Sequence, residues 1–222
     1  MANHDIGLIF DWDGVIIDSA AQHEESWERL GREEKRPLPI DHFKRGFGRK
    51  NEWIILHQLG WSTAPDEIRR LSLRKEALYR EIVLERGLEA LAGVKPFLER
   101  VRAAGIPCCI GSSTHRVNIT TILGLVGLQG LLVEMVTAED VSQGKPHPEV
   151  FLKAARKIGR TPARCIVFED AFAGIEAARA GGMRVVGVAT THAAAALAGQ
   201  VDRVVHRLDE LTVADLSAVV AG

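Results

Sequence analysis

The sequence predicts an α/β fold: a mainly parallel sheet flanked by helices, with an all-α helical bundle inserted after the first strand. Three observations predict it. Short β-like runs alternate with helical patterns over residues 87–222. Residues 19–86 hold only helical patterns and no strand. An interval of that length exceeds what a β-to-β crossover needs, so it reads as an inserted domain. The expected organisation is a core of residues 1–18 with 87–222 and an insertion of residues 19–86. The linkers fall near 18–20 and 85–93.

The first strand, 6–10, is a continuous apolar run that ends in Asp11-Trp12-Asp13-Gly14. Within the insertion, helices are expected over 20–34, over 49–59 closed by Gly60, and from Pro65 to about Leu84. The alternation then resumes with a helix over 94–104, a strand over 106–110, a helix over 116–125 and a strand over 132–137. Pro148 suits the start of a helix over 149–158. A strand follows over 165–168, then a helix over 173–180 that Gly181-Gly182 closes. Residues 184–188 form the next strand, 193–196 are a short helix-prone run, and 203–205 make a weaker strand.

Bulk composition limits the function classes. The chain has 222 residues, 46% of them hydrophobic, and a net charge of −1 from 28 basic and 29 acidic residues. Such a balance favours neither nucleic acid nor an anionic membrane as partner. The N-terminus lacks an apolar signal segment, and no apolar run reaches the roughly 18 residues that span a bilayer. The three cysteines, Cys108, Cys109 and Cys165, read as core thiols of a cytoplasmic protein, and no Cys/His spacing suits zinc. A monomer is expected.

Parallel α/β sheets place their ligands at the C-terminal ends of the strands. Asp11 and Asp13 end the first strand, and Gly111-Ser112-Ser113-Thr114 end the second. Gly144-Lys145-Pro146 follow the third, and Glu169-Asp170 end the fourth. Four carboxylates, several hydroxyls and one lysine thus converge on one edge. Burying neighbouring carboxylates is costly unless they share a cation or a proton. Taken singly, Ser112 and Ser113 could belong to an ordinary capped loop, Lys145 to a solvated surface, and Glu169-Asp170 to an acidic helix start. Their joint occurrence at strand ends points to chemistry.

The combination Asp11-Trp12-Asp13-Gly14-Val15, the Ser112 strand end, Lys145-Pro146, and Glu169-Asp170 with Ala173-Gly174-Ile175 resembles the haloacid dehalogenase superfamily. The match is to its helical-cap subgroup, which includes β-phosphoglucomutase-like phosphatases. The resemblance implies a Rossmann-like core and a cap acting as a lid. It implies that Asp11 is the nucleophile that becomes an aspartyl-phosphate, and that Asp13 is the general acid and then base. Mg2+ would lie between Asp11, the Asp13 carbonyl and Asp170. Glu169 would either ligate through water or orient Lys145. Ser112, Ser113 and Lys145 would bind the phosphoryl group. Dehalogenases usually lack the second aspartate, so Asp13 disfavours a carbon–halogen substrate. A receiver-like phosphoacceptor module would be about half this length and would lack the insertion.

Within the insertion, Lys75 interrupts an apolar stripe of Ile68, Leu71, Leu78 and Ile82. Its ammonium either snorkels outward or faces substrate, as a lysine does in β-phosphoglucomutase-like enzymes. His23 shares a face with Trp27 and Leu30; it is either a core histidine or the counterpart of a hinge histidine in the mutase. Gly48-Arg49-Lys50-Asn51 open a helix whose N-terminus and cations suit an anion. Asn51 occupies the place of the mutase's cationic clamp, with Arg49 and Lys50 adjacent. Lys50-Asn51-Glu52, Arg69-Arg70 and Arg74-Lys75-Glu76 are also similar to plant phosphatases acting on a ribitylamino-uracil phosphate. The expected function is Mg2+-dependent hydrolysis of a small phosphate monoester, such as a sugar phosphate. β-Phosphoglucomutase is the alternative, and a non-enzymatic phosphoacceptor is the third.

Overall fold

A computed structural model describes residues 5–46 and 49–222. The chain divides into two compact units, Met1–Asp18 with Glu89–Gly222, and Ser19–Leu88.

The first unit is built on a six-stranded sheet. Its strands are β1 Gly7–Phe10, β2 Cys108–Gly111, β3 Glu134–Val136, β4 Cys165–Glu169, β5 Arg184–Val188 and β6 Arg203–Val205. Their order is β3-β2-β1-β4-β5-β6, with every pair parallel. This unit also holds α5 Val94–Ala103, α6 Arg116–Leu125, α7 Glu149–Lys157, α8 Phe172–Ala180, α9 Ala194–Leu197 and α10 Val213–Ala221. β1 lies at the centre, with Phe10 opposite both Ile110 and Phe168. A central strand covered on both faces must be apolar throughout, and β1 is buried along its whole length.

Side chains alternate between the two faces with period two. Ile9, Cys109, Val167 and Val185 pack with Phe151 and Ala154 of α7 and Ile175 of α8. In the alternate positions, Phe10 stacks on Phe168 at 4.7 Å, and Phe97 of α5 meets both rings edge-on. Because the strands share one direction, β1, β2 and β4 end at one edge, where Asp11, Ser112 and Asp170 follow them.

The second unit is all-α: α1 Ala20–Glu33, α2 His42–Gly46, α3 Asn51–Trp53 and α4 Pro65–Arg86. Its apolar core is Trp27, Leu30, Ile54, Ile55, Ile68, Leu71 and Leu78. Pro65 opens α4 at a position where its missing N–H costs nothing. The helix expected over 49–59 begins instead at Asn51 and continues as a π-helical segment, Ile54–Gln58. There the Leu59 amide reaches back to the Ile54 carbonyl at 2.9 Å, and Ile54 and Ile55 both stay buried. α2 and α10 are not foreseen by the sequence pattern. Among the described residues, no helix is long and apolar enough to cross a membrane.

Candidate active site

Immediately after β1 the backbone turns tightly. The amides of Ile16 and Ile17 bond the Trp12 carbonyl, and the Gly14 amide bonds the Ile17 carbonyl at 2.9 Å. Gly14 has φ +75°, and a Cβ there would lie 1.9 Å from Asp170 Oδ2. Only glycine meets both conditions. The turn keeps Asp11 buried, while Asp13 Oδ2 accepts a hydrogen bond from Thr114 Oγ1 at 2.5 Å.

Lys145 joins the strand ends. Its buried ammonium lies 2.9 Å from Asp11 Oδ1 and 2.6 Å from Glu169 Oε1. Glu169 is fully buried, and its Oε2 accepts from the amides of Asp170 and Ala171, both at 3.0 Å. Both of its oxygens are therefore engaged, in the arrangement that would orient Lys145. Gly174 makes room for it, since a Cβ there would meet Glu169 Oε1 at 1.7 Å. Asp170 is fully buried; Thr191 Oγ1 donates to its Oδ2, and its Oδ1 has no hydrogen-bond partner.

The electrostatics follow from burial. Asp11 is pushed up to about 7, mainly by burial and further by Glu169 and Asp13, against the pull of Lys145. Asp170 is raised well above its ordinary value, again first by burial and then by Glu169 and Asp11. Burial would lower Lys145, but Asp11 and Glu169 outweigh it and hold the ammonium above its ordinary value. Three buried carboxylates thus face one ammonium, a deficit of positive charge. One oxygen from each of Asp11, Glu169 and Asp170 lies within 4.8 Å of the other two, and the orphaned Asp170 Oδ1 points to a missing partner. An all-oxygen anionic set suits a hard divalent cation such as Mg2+.

Ser112 is buried at the end of β2, and its Oγ accepts from the Thr114 amide at 3.0 Å. Ser113, half-buried, shares that loop. In the helical unit, His23, Asn51 and Lys75 are all buried. Lys75 does not snorkel: its Nζ lies 2.6 Å from His23 Nδ1 and donates to Glu76 Oε1 at 2.9 Å. His23 stacks on Tyr79 at 3.9 Å. Asn51 Nδ2 donates to Glu76 Oε1 at 2.6 Å and to Ser72 Oγ at 3.3 Å. Arg49 lies over the Trp53 ring at 4.1 Å, and Lys50 is half-buried at the N-cap of α3. Gly48 lies outside the described residues.

The family model for haloacid dehalogenase-like hydrolases matches residues 7–182. The chain belongs to that family. Its relatives include the chloroplastic 5-amino-6-(5-phospho-D-ribitylamino)uracil phosphatase of Arabidopsis thaliana, 38% identical over 95% of this chain and 57% of that protein. The chain thus spans just over half the length of that relative. Hexitol phosphatase A of Escherichia coli is 31% identical over 93% of both proteins. Among solved structures, β-phosphoglucomutase from Clostridium difficile matches with a TM-score of 0.83 and 25% identity, over 97% of this chain and 96% of that one.

Three threonines brace this hydrolase site. The sequence places Thr114 among the strand-end hydroxyls without giving it a role, and Thr190 and Thr191 escape selection from it. Thr114 holds Asp13, and Thr191 holds Asp170. Thr190 donates from its Oγ1 to the Gly14 carbonyl at 2.5 Å. For Thr190 and Thr191, the available signal is their position just beyond the end of β5.

Proposed function

We propose that the protein is a Mg2+-dependent phosphatase of small phosphate monoesters, working through an aspartyl-phosphate on Asp11. The observation that carries this reading is the buried Asp11–Lys145–Glu169 cluster with Asp170 beside it. In the first step an Asp11 carboxylate oxygen attacks phosphorus, and the bond from phosphorus to the ester oxygen breaks. Asp13 gives its proton to the departing alkoxide. In the second step Asp13 takes a proton from water, the water oxygen attacks the phosphoryl group, and inorganic phosphate leaves with Asp11 regenerated. The Thr114 hydroxyl, bonded to Asp13 Oδ2, would hold that carboxyl in place for both transfers.

Lys145 has three N–H donors, of which Asp11 and Glu169 take two. The third is available to a phosphoryl oxygen, alongside the Ser112 hydroxyl. Asp11, the Asp13 carbonyl and Asp170 would hold the cation. When bound, it neutralises the clustered carboxylates and lets an anionic phosphate approach Asp11.

The unit Ser19–Leu88 would serve as the cap that selects substrate. A phosphatase is favoured over a mutase by the state of Asn51. A mutase must grip a second phosphate while its intermediate reorients. At the position expected for that grip, Asn51 is neutral and its amide already serves Glu76 and Ser72. A panel of phosphorylated metabolites assayed with Mg2+ tests the activity. β-Glucose 1-phosphate with a trace of the 1,6-bisphosphate separates the two readings. Release of inorganic phosphate is expected; rapid glucose 6-phosphate formation with negligible phosphate release would establish the mutase.

A further inference from the structure

The two oxygens of Asp170 have unlike surroundings. Oδ2 lies against the Gly14 backbone and accepts from Thr191 Oγ1, with Thr190 Oγ1 3.5 Å away. Oδ1 is buried and has no hydrogen-bond partner. The terminal torsion of an aspartate is soft, so burial alone does not decide which oxygen faces the site. A hydroxyl bonded to one oxygen does decide it.

The turn that carries this hydroxyl is itself anchored. The Ala189 amide bonds the Val205 carbonyl at 2.8 Å, and the Thr190 amide bonds the Val188 carbonyl at 2.9 Å. Thr190 Oγ1 also bonds the Gly14 carbonyl, one residue beyond Asp13. One turn after β5 therefore braces both segments that would supply cation ligands, the Asp13–Gly14 turn and Asp170. We propose that Thr191 is a positioning residue for the cation: by holding Asp170 Oδ2, it presents Oδ1 as the ligand atom. This rests on the reading that Asp170 binds the metal. A partner hydrogen-bonded to a ligating carboxylate fixes its orientation, and losing such a partner typically weakens metal affinity by about 10–100-fold.

The test is calorimetric titration of the metal-free full-length protein with MgCl2, comparing wild type, Thr191→Val, Thr191→Ala, Thr191→Ser and Asp170→Asn. Thr191→Val, and Thr191→Ala should Val fail to fold, are expected to raise the Mg2+ dissociation constant at least about tenfold. Thr191→Ser, which keeps the hydroxyl, should stay within about threefold of wild type. In steady state, Thr191→Val should raise the half-saturating Mg2+ concentration far more than it lowers kcat at saturating Mg2+. The metal-free urea midpoint of Thr191→Val should fall modestly, since Asp170 Oδ2 loses its partner, so Mg2+ affinities are compared at a temperature where every variant is fully folded. If Asp170→Asn loses Mg2+ binding while Thr191→Val binds within twofold of wild type, the role of Thr191 is wrong and the metal site stands. A Thr191→Ser variant as weak as Thr191→Val would also overturn it, since the hydroxyl would then be irrelevant. If Asp170→Asn binds Mg2+ like wild type, the metal reading fails and Thr191 with it.

Discussion

Replacing Lys145 with Met keeps the stem and removes the charge that holds the site together. The ammonium lies 2.9 Å from Asp11 and 2.6 Å from Glu169, all three buried. Removing one partner of a buried ion pair leaves an uncompensated charge and costs about 3–5 kcal/mol. In a chain of this size that corresponds to a fall of about 6–20 °C in Tm. The loss should depend on pH in a defined direction. Asp11 titrates near 7 in the folded protein against 3.8 ordinarily, chiefly because it is buried. A carboxyl whose pKa rises on folding subtracts stability as pH climbs from about 4 to about 7, and its cost is constant above that.

Without Lys145 the folded pKa of Asp11 rises further, because the ammonium is what opposes burial. The variant should then keep losing stability above pH 7 at up to about 1.4 kcal/mol per pH unit, where this group leaves the wild type flat. The gap between the two proteins should widen from pH 7 to pH 8.5, by at most about 2 kcal/mol. Urea unfolding in EDTA, followed by far-ultraviolet circular dichroism at pH 5.5, 7 and 8.5, measures it. Adding Glu169→Gln to the variant should recover part of the loss, because one of the two stranded charges is gone. A loss below about 1 kcal/mol, or one equal at all three pH values, would refute the account of a buried, charge-deficient cluster.

Further outcomes follow from the same geometry. Gly14→Ala should weaken Mg2+ binding at least about tenfold, because the new Cβ would meet Asp170 Oδ2 at 1.9 Å. Gly182→Ala is its control: φ is +72° with open space around the site, so only backbone strain of about 1–2 kcal/mol is expected. Equal Mg2+ affinities for the two variants would contradict the role of the Gly14 turn. The rise in Tm produced by Mg2+ should be larger at pH 8 than at pH 5.5, since protons on Asp11 compete with the cation; a larger shift at pH 5.5 would reverse that account. EDTA should abolish turnover, Mg2+ should restore it, and Ca2+ should inhibit, because its larger and more flexible shell fits the site poorly. Full-rate turnover by the chelated enzyme would remove the metal from the mechanism.

The sheet and the acidic centre were legible for the same reason. Apolar runs such as Leu8-Ile9-Phe10 and Ile166-Val167-Phe168 mark buried parallel strands, and such strands deliver Asp11 and Asp170 to one edge. Lys145 was legible from its place among the strand ends, and its contact with Glu169 was one of two expected alternatives, but its ion pair with Asp11 was not foreseen. The loop carrying Lys145 meets Glu169 at the end of β4, 24 residues on, and Asp11 just past β1, contacts that no local pattern reveals. Asn51 shows the same limit: its amide is committed to Glu76, 25 residues away, which no local pattern reveals. Thr191 follows β5 rather than the motif-bearing strands, and a lone hydroxyl is uninformative until its partner is known. α10 was missed although Thr212 and Asp215 form the capping box that opens it. The π-helical turn after α3 has no sequence signature, since it satisfies burial of Ile54 and Ile55 together rather than any local preference.

The central claim is that Asp11 carries the phosphoryl group. Reacting the Mg2+-loaded enzyme with a 32P-labelled monoester that it turns over, quenching in acid within one turnover and digesting the chain tests this directly. The account predicts a hydroxylamine-labile label on the peptide containing Asp11, absent from Asp11→Asn. Turnover without a trapped label in wild type, or a label on any other residue, would contradict it.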